Sequence, residues 1–291
     1  MGAGNEVRLQ VQICTLGREG MRRLIAAGHP RVEGVEWLVS WQLPEDSCPV
    51  PDILLERSDF RVIVSRDRGL SRNRNHALDA TGAPYILIGD DDVDYTPAGL
   101  RQLLSAFESR PDLDVICCRY TCRGQYVKPY GNGEFSLLSP PRGWYPTSFE
   151  IALRAGKLRG LRFNENLGLG APVCNCGEED VLLATLLRTG AEGVGLPILI
   201  GAHNTPTTGE KLACDARFIF THGAVMTWLH PRTWPLRLLA HARRSPLPFL
   251  RYLRHSLRGA LHACRTSLFA PEKRILYGAG ASAVGDGQGQ E

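Results

Sequence analysis

Through the first half of the chain, short apolar runs alternate with helix-like segments. A chain satisfies that pattern by laying its strands into a mainly parallel sheet with helices on both faces, a Rossmann-like α/β architecture. Val7–Thr15 reads as the first strand, and a helix over Glu19–Ala27 ends at Gly28-His29-Pro30. Val35–Gln42 is the second strand, followed by a Pro-rich loop from Leu43 to Pro51, and Phe60–Ser65 is the third. A helix over Ser71–Ala80 then leads to Tyr85-Ile86-Leu87-Ile88, an apolar run suited to a central strand buried on both faces. Thr96 and Pro97 supply a cap and a first-turn proline for a helix to Arg110, before a strand at Val115–Tyr120.

From Arg123 to Arg142 the chain is rich in Gly, Pro and Tyr and has no clear period, which predicts a long loop or irregular hairpin. A helix over Glu179–Arg188 and a strand over Leu196–Gly201 follow. The 291 residues are enough for a large domain, expected over 5–220, with a basic and partly helical extension over 221–277. Residues 278–291 are Gly-rich and predict a disordered tail.

The net charge of +4 is too small to imply a nucleic-acid partner, and none is expected. Its distribution says more. Between Asp215 and Glu272 there is no acidic residue, while nine arginines and five of the eight histidines lie there. Within it, Leu236–Ala242 and Phe249–Cys264 read as helices, with Leu250, Leu253, Leu257 and Leu261 at helical spacing and arginines between them. Three readings stay open for 236–264: peripheral contact with anionic lipid, a helix packed on the core with its arginines in solvent, or a dimer surface. Pro246 and Pro248 break any longer helix.

No apolar run approaches the ~20 residues of a spanning helix. Nine scattered cysteines, without a C-x-x-C pair or a secretory leader, predict reduced thiols in a cytoplasmic compartment, with the inner face of the membrane as the site of any peripheral association. Cys118/Cys122 and Cys174/Cys176 lack the spacing of common zinc ribbons and read as small buried residues.

The central run ends directly in Asp90-Asp91-Asp92, with Asp94 close behind. So many carboxylates at one strand end need compensating charge. Ligands of open α/β sheets bind at the carboxyl ends of strands, and a hard divalent cation takes one or two carboxylates while substrate phosphates complete its shell. A Mg²⁺ or Mn²⁺ that also holds a diphosphate meets both conditions. A solvated acidic turn and an isolated calcium site are the plainer alternatives.

Three motifs in order carry a family resemblance: Gly69-Leu-Ser-Arg-Asn-Arg-Asn75, the Asp run about fifteen residues on, and Gly177-Glu-Glu-Asp180 at a helix start. Over Val7 to Gly209 the chain resembles the family 2 glycosyltransferases of GT-A fold. That resemblance implies a nucleotide-diphosphosugar donor, a UDP-sugar foremost, and a divalent cation. It also implies inverting transfer to a hydroxyl of a glycan or lipid-linked glycan in cell-surface polysaccharide synthesis. By the same resemblance Asp90 touches the donor ribose or sugar, Asp92 ligates the metal, and Asp91 is the uncertain middle position. Arg74 and Asn75 match the family's "RN", where a guanidinium fork suits a phosphate or a base edge. Thr15-Leu-Gly-Arg18 stands where this fold meets the nucleotide base, and His203 is similar to a late histidine that serves as a further metal ligand or phosphate contact.

Inverting transfer needs one base for the acceptor hydroxyl. The register of the third motif leaves Glu179 and Asp180 both open for that role, and both stand at a helix start whose dipole favours ionised carboxylates. Leu167-Gly-Leu-Gly-Ala171 lacks the third glycine of a dinucleotide fingerprint and fits an acceptor loop better. Trp144, Tyr145 and Phe149 are candidates either for stacking on a sugar or for the core. Two rivals remain. A sugar nucleotidyltransferase would carry a Gly-rich, Lys/Arg-bearing first turn, for which Thr15-Leu-Gly-Arg-Glu19 is too sparse. A non-catalytic sugar- or nucleotide-binding protein would not need both acidic motifs.

Overall fold

The structure is a computed structural model, and the residues it describes are 6–43, 48–158, 160–205 and 214–277. The expected tail at 278–291 and part of the Pro-rich loop lie outside the described residues. Contacts divide the chain into two compact units, Met1–Gly160 with Ala191–Thr205, and Leu161–Gly190 with Pro206–Glu291.

The first unit holds a ten-stranded mixed sheet. In chain order its strands are β1 (Leu9–Leu16), β2 (Val35–Gln42), β3 (Phe60–Ser65), β4 (Tyr85–Asp90), β5 (Asp94–Tyr95), β6 (Val115–Cys122), β7 (Gln125–Tyr126), β8 (Phe135–Ser136), β9 (Ile151–Arg154) and β10 (Gly193–Ala202). They lie in the order β3-β2-β1-β4-β9-β6-β10-β5, with β7 beside β6 and β8 beside β10. The helices of this unit are α1 (Gly17–Ala27), the single turn α2 (Asp52–Leu55), α3 (Leu70–Asp79) and α4 (Pro97–Ser109). Pairing of β3, β2, β1 and β4 is parallel, as is that of β6 with β10. Strand β9 runs antiparallel between β4 and β6. The expected α/β fold with a largely parallel sheet and flanking helices is therefore present. Thr96 caps α4 as expected, its hydroxyl accepting from the Gly99 amide.

Burial follows the helices on both faces. Leu9, Val11 and Ile13 of β1 share a core with Met21 and Leu24 of α1 and Leu100 and Phe107 of α4, while Cys14 and Leu38 pack with Ala77 of α3. In β4, Ile86, Leu87 and Ile88 are all buried, as a central strand requires. The strand runs two residues beyond the apolar run, so that Asp90 is its last residue, in register with Cys14 of β1.

Several elements were not legible as sequence. Four-residue β9 is too short to show a period, and it fills the place between β4 and β6 by antiparallel pairing. The irregular stretch after Arg123 contributes the two-residue β7 and β8.

The second unit is helical: α5 (Glu178–Arg188), α6 (Ala216–Leu229), α7 (Trp234–Arg244), α8 (Phe249–Arg265) and α9 (Ala270–Tyr277). Helix α6 passes through position 220, where a boundary was expected, because Asp215 caps it by accepting from the amides of Arg217 and Phe218. Its apolar sequence has no polar stripe to announce a helix. A further correction concerns α8. Its leucine row is split: Leu253 is half-buried and packs on Ile219, Ala242 and Tyr252, but the row is not the centre of the packed face. Tyr252, Ser256, Gly259, Ala260 and Ala263 are buried, while Leu250 is 76% and Leu261 44% exposed.

Close backbone approach explains this choice of face. A Cβ on Gly223 of α6 would lie 1.8 Å from the Ser256 carbonyl oxygen, and one on Gly259 of α8 would lie 1.8 Å from that of Phe220. Only glycine permits the crossing. Gly259→Ala is expected to lower stability by roughly 1–3 kcal/mol, because the helices must separate; chemical denaturation measures it, and an unchanged midpoint would refute the close packing.

Glu272 of α9 is 1% exposed and accepts a 3.1 Å hydrogen bond from Asn164 Nδ2. Burial pushes its carboxyl from the ordinary 4.5 up to about 7, against the pull of hydrogen bonds from its own backbone and Asn164. The folded state thus favours the neutral acid. Stability from this group is complete below pH ~4.5 and lost as pH rises through about 7. Glu272→Gln is expected to raise stability by about 3 kcal/mol at mildly alkaline pH and to leave it unchanged near pH 4. Denaturation series at the two pH values read the difference.

Candidate active site

Local tethers set the site before any charge enters. Gly69, at φ +108°, opens α3, and Gln42 Nε2 donates to its carbonyl at 3.2 Å. Asn73 is buried, donating through Nδ2 to the Ser40 carbonyl (2.9 Å) and the Thr15 carbonyl (3.3 Å), and accepting from Ser40 Oγ (2.6 Å). The side chain thus bolts α3 onto the carboxyl ends of β1 and β2. One residue on, Arg74 is 3% exposed with Nη2 3.5 Å from Asp90 Oδ1, which rules out an ordinary surface charge. Asn75 is also buried.

The three consecutive aspartates have separate surroundings. Asp90 accepts from Ser148 Oγ at 2.9 Å through its other oxygen, and its backbone amide donates to the Tyr95 hydroxyl at 3.2 Å. Asp91 turns inward, 7% exposed, and takes a two-pronged ion pair from Arg23, 3.0 Å at each oxygen, together with the Thr15 hydroxyl. Burial raises its carboxyl above the ordinary range, opposed by Arg23 and Thr15. Thr15 and Asp91 are therefore engaged with each other. Gly20 makes room for them, since a Cβ there would fall 2.1 Å from Thr15 Oγ1 and 2.8 Å from Asp91 Oδ2. Arg18 stands exposed in the first turn of α1.

Asp92 meets His203. Its Oδ1 lies 3.3 Å from His203 Nε2, and its Oδ2 accepts from Thr205 Oγ1 at 3.1 Å. Burial raises the Asp92 carboxyl, but the hydrogen bond and charge of His203, with Thr205 and Arg23, hold it below the ordinary range. The sheet arranges this meeting. Strand β5 pairs antiparallel with the end of β10, Asp94 opposite Ala202 and Tyr95 opposite Gly201, which brings the residues after β10 to the turn after β4. A Cβ on Gly201 would lie 2.5 Å from the Asp94 carbonyl oxygen, so that pairing requires glycine. His203 is buried and stacks on Phe149, ring centroids 5.3 Å apart. Among the described residues no group of three or more His, Cys, Asp and Glu side chains converges on one point. One carboxylate and one imidazole are nevertheless a sufficient protein contribution for a Mn²⁺ or Mg²⁺ completed by phosphate and water.

Ser148 and Phe149 are held by a network that sequence reading missed. Lys128 and Glu150 form a buried ion pair, Tyr130 donates to Glu150, and Lys128 also reaches Thr147 and the Tyr145 carbonyl. Burial raises the Glu150 carboxyl, and Lys128 opposes that. Of the candidate aromatics, Phe149 is core, Trp144 packs edge-on against Phe135, and Tyr145 is exposed.

In the second unit, Glu178, Glu179 and Asp180 form the first turn of α5, entered through Gly177 at φ +82°. Their charges lie at the positive end of the helix. Glu178 is buried, while Glu179 and Asp180 are half-buried. The Cys176 thiol is pushed up by its burial and by the charges of Glu179, Glu178 and Asp180.

These environments separate two adjacent residues by experiment. Asp91→Ala strips partners from Thr15 and Arg23 and is expected to cost roughly 1–3 kcal/mol of stability. Asp92→Ala, at a more open position, is expected to cost under about 1 kcal/mol. Equal losses in thermal or chemical denaturation would contradict the division.

Residues 49–170 match the family model described as Glycosyl transferase family 2. The match takes in Gly69–Asn75 and the aspartate run, and ends before Glu179 and Asp180. No curated protein sequence matches the chain. Among solved structures, the S. aureus TarS fragment 1–349 is 13% identical, with 86% of this chain and 90% of that chain covered and a TM-score of 0.58. The same fragment in complex with UDP-GlcNAc gives a TM-score of 0.60 at the same identity and coverage. In complex with UDP it gives 0.55, at 13% identity, over 92% and 91% of the two chains. At this identity these likenesses speak for the fold, and they place the mixed sheet with its flanking helices among GT-A structures. The chain thus has the α/β fold of the GT-A structures, and its residues 49–170 match the model of glycosyl transferase family 2.

Proposed function

We propose that the chain transfers a sugar, with inversion, from a nucleotide-diphosphate sugar to a hydroxyl of a glycan or lipid-linked glycan in cell-surface polysaccharide synthesis. The observation that carries this reading is the pairing of Asp92 with His203 at the end of β4, beside an Asp90 that faces Arg74. Asp92 and His203 would hold a Mn²⁺ or Mg²⁺, which when bound supplies positive charge to the leaving diphosphate. Asp90, steadied by Ser148 and Arg74, is suited to accept hydrogen bonds from ribose or sugar hydroxyls. Arg74 and Asn75 supply donors for the donor's phosphates or base edge. Asp91 and Thr15 serve by holding the turn, and Arg18 is the outermost candidate contact to the base. Either Glu179 or Asp180 takes the proton from the acceptor hydroxyl as that oxygen attacks the anomeric carbon. A UDP-sugar is favoured as donor, since TarS, which shares the fold, has been solved with UDP-GlcNAc and with UDP.

Thermal stabilisation by UDP, GDP, CMP and TDP, each with and without Mn²⁺, tests the donor site. UDP with Mn²⁺ is expected to stabilise by about 2–3 kcal/mol at a hundredfold excess over Kd, and the gain should vanish in Asp92→Ala and His203→Ala. Stabilisation that persists in both variants would remove the metal assignment. For the base, Glu179→Gln combined with Asp180→Asn is expected to lower transfer by about 10²–10⁴-fold with donor binding intact. Undiminished turnover in the double variant would overturn it.

A further inference from the structure

The leucines of α8 that the helix does not bury need an explanation, because the packed face of this helix is made of Tyr252, Ser256, Gly259, Ala260 and Ala263 instead. At 100° per residue, Leu250, Leu261, Arg254, Arg265, Arg258 and Arg251 fall in that order across about 100° of the opposite face. All six are exposed, Leu250 at 76%. The half-buried Leu257 flanks the leucine edge. Phe249, at the first turn, is 38% exposed. Helix α7 repeats the chemistry, with Leu236 70% exposed among Arg237, Arg243 and Arg244. No acidic residue lies between Asp215 and Glu272, and Glu272 itself is buried, so these arginines have no local carboxylate in sequence to answer them.

We propose that this outer face of α8 is a docking surface for an anionic lipid bilayer. Aliphatic side chains gain from leaving water, and on this face they can do so only by entering another apolar phase. Arginines beside them reach lipid phosphates while their stems lie along the acyl boundary. A second copy of the chain would bring the same uncompensated positive face against itself, which disfavours a symmetric dimer. A nucleic acid would answer the arginines but not the leucines. No helix among the described residues is long and apolar enough to cross a membrane, so the contact is peripheral. This inference stands independently of the donor-site reading, since it involves none of the residues assigned there.

The test is cosedimentation of the full chain with vesicles of phosphatidylcholine alone and of an equal mixture with phosphatidylglycerol, at low and high salt. Binding to the anionic vesicles is expected, with little to the neutral ones, and it should weaken as salt rises. Arg254→Gln with Arg258→Gln should weaken it about fivefold per arginine, and Leu250→Ser with Leu261→Ser by about tenfold or more. Circular dichroism confirms that these exposed substitutions leave the fold intact. The wild-type chain remaining in the supernatant with anionic vesicles would overturn the proposal without any variant. Equal binding by the leucine variant, or preferential binding to duplex DNA with indifference to the leucines, would overturn it in favour of a purely electrostatic polyanion surface.

Discussion

Three adjacent carboxylates at one strand end cannot share one environment. Like charges about 4 Å apart near a protein surface repel by about 4 kcal/mol. The first unit resolves this by giving each aspartate its own cationic or ionisable partner from a different element: Arg74 of α3 for Asp90, Arg23 of α1 for Asp91, and His203 after β10 for Asp92. The rest of the site follows from that separation. Asp91, the most buried, anchors the turn, while its neighbours on either side stay more open to solvent.

Bringing those partners together is the work of the sheet. Parallel pairing of β1, β2 and β4 places their carboxyl ends side by side, and Asn73 ties α3 across two of them. Antiparallel β9, wedged between β4 and β6, delivers Ser148 and Phe149 just ahead of its first residue. The buried Lys128–Glu150 pair then fixes that segment at a desolvation cost that only full hydrogen bonding offsets. Glycines at 20 and 201 mark where the approach is too close for any Cβ.

In the second unit the same economy of space governs helices. Gly223 and Gly259 let α6 and α8 touch backbone to backbone, and this decides which face of α8 is inside. Small residues make the closest approach, and of the leucine row Leu253 packs beside it. The arginine-rich leucine face is left outward, which is why an interface with lipid is the physical question that segment poses.

Much was legible from sequence because it is local. The apolar runs of β1 to β4 and β6, the Thr96-Pro97 cap, and the order of Gly69–Asn75 and the aspartate run are properties of neighbouring residues, and together they determined the α/β fold and the likeness to glycosyl transferase family 2 over residues 49–170. Tertiary structure alone decided the rest. Strand β9 is too short for a period and forms through its neighbours, and α6 lacks the polar stripe by which a helix is read. Nothing in the spacing of Arg23, Ser148 or Lys128 marks them, since their partners lie 22 to 68 residues away in the chain. The distinction among Asp90, Asp91 and Asp92, identical in sequence, arises only when folding surrounds each with different charges and a different depth of burial.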